Sequence, residues 1–323
     1  MFLNYFLELK SSKRKFIIDN KGILDSLPSI PNNKQGWPWS VEVTPSIYEN
    51  AKYLPKISII TPSYNQGRFI EETIRSVILQ NYPLLEYIII DGGSTDNTLD
   101  ILKKYDAWID YWVSEKDSGQ ASAINKGIKL ASGEYIGWQN SDDIYLEKAF
   151  YHLQKTIVKN NKSGDVFFGN IIGIDVHNNR LHKRFFIPFS FYELKYYGMN
   201  IANQGTFFKR SIISENLLDE KIHFALEEYI YFKLAEKRVA FVRINAFIGA
   251  FRYHNNSKTN IIGRIGLIES IKIRNDYKIP QKDKNWRWQF IFQKNIAWLR
   301  KLFYYIIQGD LIEYLKHRAK RKN

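Results

Sequence analysis

The sequence predicts an α/β fold in which a mostly parallel sheet is covered by helices on both faces, and two observations carry that prediction. Short β-branched runs alternate with segments of helical periodicity, and the runs stop abruptly at polar, Gly- or Pro-containing loops. Lys56 to Thr61 is the first such strand and halts at Pro62. Arg68 to Gln80 repeats apolar residues at Phe69, Ile70, Ile74, Val77 and Ile78, the spacing of a helix. Glu86 to Ile90 is the second strand and opens into Asp91-Gly92-Gly93-Ser94-Thr95-Asp96, before a helix from Asn97 to Tyr105. Tyr111 to Ser114 is a third strand. Its polar loop, Glu115 to Gly119, runs into a helix holding Gln120, Asn125 and Lys126, and Gly133 to Trp138 is a fourth strand that delivers Asn140, Asp142 and Asp143.

Residues 1–55 read as an irregular N-terminal extension, because Pro28, Pro31, Pro38 and Pro45 interrupt regular structure. Trp37-Pro38-Trp39 supplies two aromatic anchors there. Composition narrows the chemistry. The 323 residues contain no cysteine, so disulfides and thiolate metal sites are excluded and a metal would sit on oxygen or imidazole ligands. The first residues, Met1 to Glu8, lack a basic flank and a small-residue cleavage site, and no run of eighteen apolar residues occurs; both point to a cytoplasmic chain. The net charge of +14 is concentrated at the C-terminal end, where residues 261–323 hold fifteen Lys or Arg against five Asp or Glu. Large aromatics such as Trp286, Trp288, Phe292 and Phe303 are interleaved with them. Such a helical tail suits either an anionic membrane surface or packing on the core with a solvated face. No nucleic-acid motif accompanies the charge, so a nucleic-acid partner is not expected.

In open sheets of this kind ligands bind beyond the carboxyl ends of the strands, so the loops after Thr61, Asp91 and Trp138 share one mouth. Asp91 is placed either to accept a hydrogen bond from a nucleotide base or to make an Asx turn with Gly92 and Gly93. Lys126 either meets a phosphate or is a solvated surface lysine. The acids at 142 and 143 suit a divalent cation of the kind that a diphosphate leaving group requires.

The series Ile59 to Asn65, Asp91 to Asp96, Gly119-Gln120 with Asn125-Lys126-Gly127, and Asn140-Ser141-Asp142-Asp143 resembles the family 2 glycosyltransferases over roughly residues 55–150. The resemblance implies the GT-A fold, with its Rossmann-like, mostly parallel central sheet, and an inverting transfer from a nucleoside diphosphate sugar, UDP in the first instance. It divides the chain into the extension, a catalytic domain at 56–260 with a nucleotide-binding half (56–150) and an acceptor half (151–260), and the tail at 261–323. It places nucleotide and donor contacts on Thr61, Pro62, Tyr64, Asp91, Gln120, Asn125, Lys126, Asn140, Asp143 and Gln204. It places Mg2+ or Mn2+ on Asp142, with His254 as a further ligand, although the first acid of the family's metal motif is here Asn140. Glu227 or Glu228 falls where the family carries its general base, and Arg252 or Lys258 would add positive charge near the metal or diphosphate. The acceptor implied is a glycan or lipid-linked glycan in surface polysaccharide synthesis, presented at the inner membrane face to which residues 286–323 would hold the enzyme. Two rival readings are a sugar-nucleotide binding protein without turnover, and a nucleotidyltransferase, which the Gly-poor loop after the first strand disfavours.

Overall fold

A computed structural model describes residues 22–196, 198, 201–255, 257, 263–277, 284–307, 309, 311–312 and 315. The elements in order are β1 (Ile57–Ser63), α1 (Ile70–Ile78), β2 (Leu85–Asp91), α2 (Thr98–Lys104), β3 (Tyr111–Ser114), α3 (Gln120–Leu130), β4 (Tyr135–Trp138) and β5 (Ile144–Tyr145). They continue with α4 (Ala149–Lys159), β6 (Val166–Ile174), β7 (Arg180–Arg184), α5 (Phe191–Tyr196), β8 (Thr206–Lys209), α6 (Arg210–Ser214), α7 (Leu226–Glu236), β9 (Phe241–Arg252), α8 (Gly263–Asp276) and α9 (Lys284–Ile307).

The strands form one sheet in the order β3-β2-β1-β4-β8-β6-β9-β5, with β7 paired to β6. The predicted α/β architecture is present. The β3-β2-β1-β4 portion is wholly parallel. Beyond it the sheet is mixed, since β8 runs antiparallel to both neighbours while β6 and β9 run parallel to each other. β1 passes through Pro62 and ends at Ser63, one register step beyond the expected stop, and pairs there with Asp91.

The near-continuous apolar runs follow from burial on both faces. Ile60, Ile88, Ile90, Ile136 and Trp138 point to one side and pack with Ile124 and Ile128 of α3. Ile57, Ile59, Tyr87 and Ile89 point to the other and pack with Ile74 and Val77 of α1 and with Phe150, Leu153 and Ile157 of α4. Backbones come unusually close where β9 crosses the turn before β8. A Cβ at Gly249 would lie 2.0 Å from the Gln204 carbonyl oxygen, so only glycine lets these segments meet.

The extension is tied down along residues 22–55. Trp39 is buried, and the Trp37 indole N–H donates to the Tyr145 carbonyl at 2.8 Å. Arg75 of α1 is buried beneath the same segment, donating to the Pro38 carbonyl at 3.0 Å, the Trp39 carbonyl at 2.8 Å and the Tyr105 hydroxyl at 2.9 Å.

At the C-terminal end α9 packs one face on the body. Ala297 and Tyr305 are buried, Tyr305 stacks edge-on against Phe185 at 4.5 Å, and Arg300 pairs with Glu193 at 2.6 Å. The other face carries Trp288, Phe292, Leu299 and Phe303 in the open, with Trp288 74% exposed. Among the described residues no helix is long and apolar enough to cross a membrane.

Two outcomes are expected. Gly249→Ala should lower stability by about 1–3 kcal/mol, read from the urea midpoint, because the added methyl meets backbone rather than a yielding side chain. Glu86 sits at the opening edge of the sheet, where burial alone would raise its carboxyl, but donors from Ser132, Ser58 and Lys56 outweigh burial and hold it below its ordinary value. Its contribution is therefore full above the ordinary carboxylate range of about pH 4–5 and is lost as pH falls through the lower folded value. Glu86→Gln should reduce Tm at neutral pH and flatten the acid limb of a Tm-against-pH curve.

Candidate active site

The loops after β1 and β2 are laced together. Asn65, in the left-handed region at φ 51, donates its backbone N–H to Ser94 Oγ at 2.7 Å and accepts the Thr95 N–H on its side-chain oxygen at 2.8 Å. Gly67 N–H donates to Asp96 Oδ2 at 2.9 Å. Asp91 is buried and pins three segments at once. Its Oδ2 accepts Gly93 N–H (3.1 Å), Ser94 N–H (2.8 Å) and Ser114 Oγ (2.6 Å), and its Oδ1 accepts Ser94 Oγ (2.6 Å). The turn reading of Asp91 is thus realised. Because Oδ1 carries one hydrogen bond and has two lone pairs, the same carboxylate retains acceptor capacity. Tyr64, at the tip of β1, is 61% exposed and offers an open ring beside this turn. Pro62 and Thr61 are buried, and the Thr61 hydroxyl faces Tyr87 OH at 3.1 Å on the core side, so the Thr61 side chain does not face the mouth.

β4 delivers the acids. Asp142 Oδ2 lies 3.0 Å from His254 Nε2, the contact that joins the two residues expected to share a metal. The His254 ring packs at 4.7 Å from Phe69, and the Arg252 guanidinium lies 5.1 Å from the same ring. Asp143 is turned inward, accepting Arg252 N–H at 2.8 Å, Gln204 Nε2 at 2.8 Å and Asn140 Nδ2 at 3.2 Å. Burial, and then the neighbouring Asp142 charge, push the Asp143 carboxyl well above its usual range, against those hydrogen bonds. Asn140 Oδ1 in turn accepts Gln120 Nε2 at 2.9 Å. Gln120, Asn140, Asp143 and Gln204 therefore form one hydrogen-bonded chain behind Asp142.

Other expected residues lie elsewhere. Asn125 is buried with both ends of its amide engaged, donating to the Leu218 carbonyl (2.9 Å) and Glu220 (3.0 Å) and accepting Leu218 N–H (2.9 Å), so it clamps the 218–220 loop and does not reach the mouth. Lys126 pairs with Glu115 at the surface. Gln204 is buried against Asp143. The Arg252 guanidinium is buried behind the acids, between Glu72 and the Asp142 carbonyl. Lys258 lies outside the described residues.

Glu227 and Glu228 occupy the first turn of α7. Glu228 pairs with Arg274 of α8 at 2.9 Å, while Glu227 is half-buried. The entry to α7 is held by Glu269 of α8, whose carboxylate accepts the N–H groups of His223 (2.7 Å), Phe224 (2.7 Å) and Ala225 (2.9 Å). The same entry abuts the start of α3, since a Cβ at Gly119 would lie 3.8 Å from His223 Nδ1. Sequence reasoning missed Glu269 and Glu72. The only local signal for Glu269 was a lone acid early in a basic segment.

A divalent cation suits this donor set on chemical grounds. Asp142 offers a carboxylate and His254 an imidazole, and hard cations at nucleotide sites take their remaining ligands from phosphate oxygens and water. Among the described residues no group of three or more His, Asp or Glu side chains gathers for such an ion.

Residues 58–220 match the family model described as Glycosyl transferase family 2. The chain belongs to this family. Solved structures share its fold. The chain resembles Staphylococcus aureus TarS in complex with UDP, at a TM-score of 0.52 and 17% identity over 73% of this chain and 69% of that one. It also resembles the mannosyltransferase PcManGT from Pyrobaculum calidifontis in complex with GDP-Man and Mn2+, at a TM-score of 0.53 and 14% identity over 91% and 78% of the two chains. The fold is the GT-A fold. In sequence, the chain is 46% identical over 92 residues to the Bacillus subtilis protein called putative teichuronic acid biosynthesis glycosyltransferase TuaG. That stretch is 28% of this chain and 36% of TuaG, so the match spans about a third of the relative's length.

If Asn125 clamps a loop, Asn125→Ala should lower stability by about 1–3 kcal/mol, the cost of leaving buried partners unpaired. Its Kd for UDP, by calorimetry, should match that of the unaltered chain at a temperature where both are folded.

Proposed function

We propose that this chain is an inverting glycosyltransferase that moves a sugar from a nucleoside diphosphate sugar, a UDP-sugar, to a hydroxyl of a surface-polysaccharide acceptor. The carrying observation is the Asp142–His254 pair at the carboxyl edge of the sheet, beside the laced β1 and β2 loops, in a chain of this family. The UDP-bound fold relative supports the donor class, the Mn2+-bound one supports the use of a cation, and the name of the Bacillus relative supports an anionic cell-surface polymer as the acceptor's class. A chain of net charge +14 suits such an acceptor.

Tyr64 and the Asp91 turn hold the nucleotide base. Asp142 and His254 would hold Mg2+ or Mn2+, and such a cation would offset the negative charge that develops as the diphosphate leaves. Glu227 takes the proton from the acceptor hydroxyl while its oxygen bonds to the anomeric carbon and the bond from that carbon to the diphosphate breaks. Attack opposite the leaving group inverts the anomeric configuration.

The exposed aromatic face of α9 and the basic balance of the tail support contact with the anionic inner face of a membrane, where a lipid-linked acceptor would be presented. Removing residues 286–323 should abolish sedimentation with vesicles containing anionic lipid, and unchanged binding would remove this part of the reading.

With UDP-sugars and Mn2+, UDP release should be lost on chelation. Asp142→Ala and Glu227→Ala should each reduce it by about 10²–10⁴-fold, the range for losing a positioned acid–base or metal-holding group. UDP binding without release from any donor or acceptor tested would favour a binding protein without turnover.

A further inference from the structure

The acidic residue Glu72 lies on α1, outside every motif that singled out the mouth, yet it is 3% exposed and has three partners from distant parts of the chain. Its Oε1 accepts Lys34 Nζ at 2.6 Å and the Trp39 indole N–H at 3.2 Å, both from the N-terminal extension. Its Oε2 accepts Arg252 NH2 at 2.7 Å. Burial alone would raise its carboxyl, but Arg252 and Lys34 outweigh burial and hold it below its ordinary range. Arg252 also donates to the loop that carries the acids and to the turn between β6 and β7. Nε donates to the Asp142 carbonyl at 2.8 Å, and NH1 to Asn178 Oδ1 at 2.6 Å and the Asp175 carbonyl at 3.2 Å. The Arg252 backbone N–H holds Asp143 Oδ1 at 2.8 Å. Two residues further on is His254, whose ring lies against Phe69 as the Arg252 guanidinium does.

We propose that Glu72 and Arg252 are positioning residues for the Asp142–His254 pair, and that Lys34 and Trp39 make the N-terminal extension a working part of that site. The reason is geometric. Asp142 comes from the β4–β5 loop and His254 from the end of β9, two segments distant in sequence. One planar guanidinium, fixed at its far end by Glu72, grips the first segment and belongs to the second. Residues that orient metal ligands in this way commonly set metal affinity by about 10–100-fold without touching the metal. The inference rests on the reading that Asp142 and His254 hold the cation of a nucleoside diphosphate.

The test measures Mn2+ binding directly, without turnover, by the loss of free-ion EPR signal in the presence of saturating UDP. UDP affinity in EDTA and melting temperature are followed on the same samples. Arg252→Lys keeps a cation for Glu72 but cannot grip the Asp142 carbonyl and Asn178 together. It should weaken Mn2+ binding about tenfold or more, with UDP affinity in EDTA within about twofold of the unaltered chain. The paired change Lys34→Met with Trp39→Phe removes both bonds from the extension and leaves the Glu72–Arg252 pair in place; it should weaken Mn2+ binding in the same direction. Should Arg252→Lys fail to fold, this pair decides the question. A lower melting temperature with unchanged Mn2+ affinity in these variants would overturn the inference and leave Glu72 a purely structural residue. Asp142→Asn separates the two layers: if the unaltered chain and Asp142→Asn bind Mn2+ alike, the cation reading fails and the inference falls with it.

Discussion

The buried ion pair between Glu72 and Arg252 is the constraint on which much of this molecule depends. The Arg252 side chain is fully buried and that of Glu72 is 4% exposed, so neither charge has water to fall back on. Such pairs contribute little net stability compared with apolar residues of the same size, but removing one partner leaves an uncompensated charge and costs roughly 3–5 kcal/mol. What the pair supplies is register. It joins the extension, α1, the β4–β5 loop and the end of the last strand at one point, and the acids and the imidazole of the mouth hang from that point.

The rest of the mouth is built on the same plan, in which a polar side chain reaches from one segment to a polar group of another. Asp91 fastens the β2 turn to β3, Asn65 fastens the β1 loop to the β2 loop, and Glu269 caps the entry to α7. Loops at the end of a parallel sheet have few backbone partners of their own, so each such bond removes freedom that a ligand would otherwise have to remove on binding. Glu269 and Arg274 act as a couple of opposite sign: one holds the N–H groups ahead of α7 and the other holds Glu228.

The nucleotide-proximal strands were legible in the sequence because their signal is local. Ile57 to Ile60 and Tyr87 to Ile90 are apolar but for Ser58, their ends are marked by turn residues, and the parallel order follows from the intervening helices. The Asp142–His254 meeting was legible only through resemblance, since 112 residues separate the two. Residue type misled at Asn125 and Arg252. A polar side chain at the motif position suggested a ligand contact, whereas burial turned each to the backbone of a remote segment. Glu72 gave no signal, because an acid in the first turn of a helix reads as an ordinary response to the helix dipole. In α9 the reading of a helix packed on the core is realised by Ala297 and Tyr305, while Trp288 and Phe303 face outward.

Asp142 and His254 together would hold the cation that the donor diphosphate requires. Anomalous diffraction at the manganese edge from crystals grown with UDP and Mn2+ tests it most directly. One strong peak at Asp142 and His254 is the expected result. Bound UDP with no manganese peak at Asp142, or with the ion held by other side chains, would contradict it.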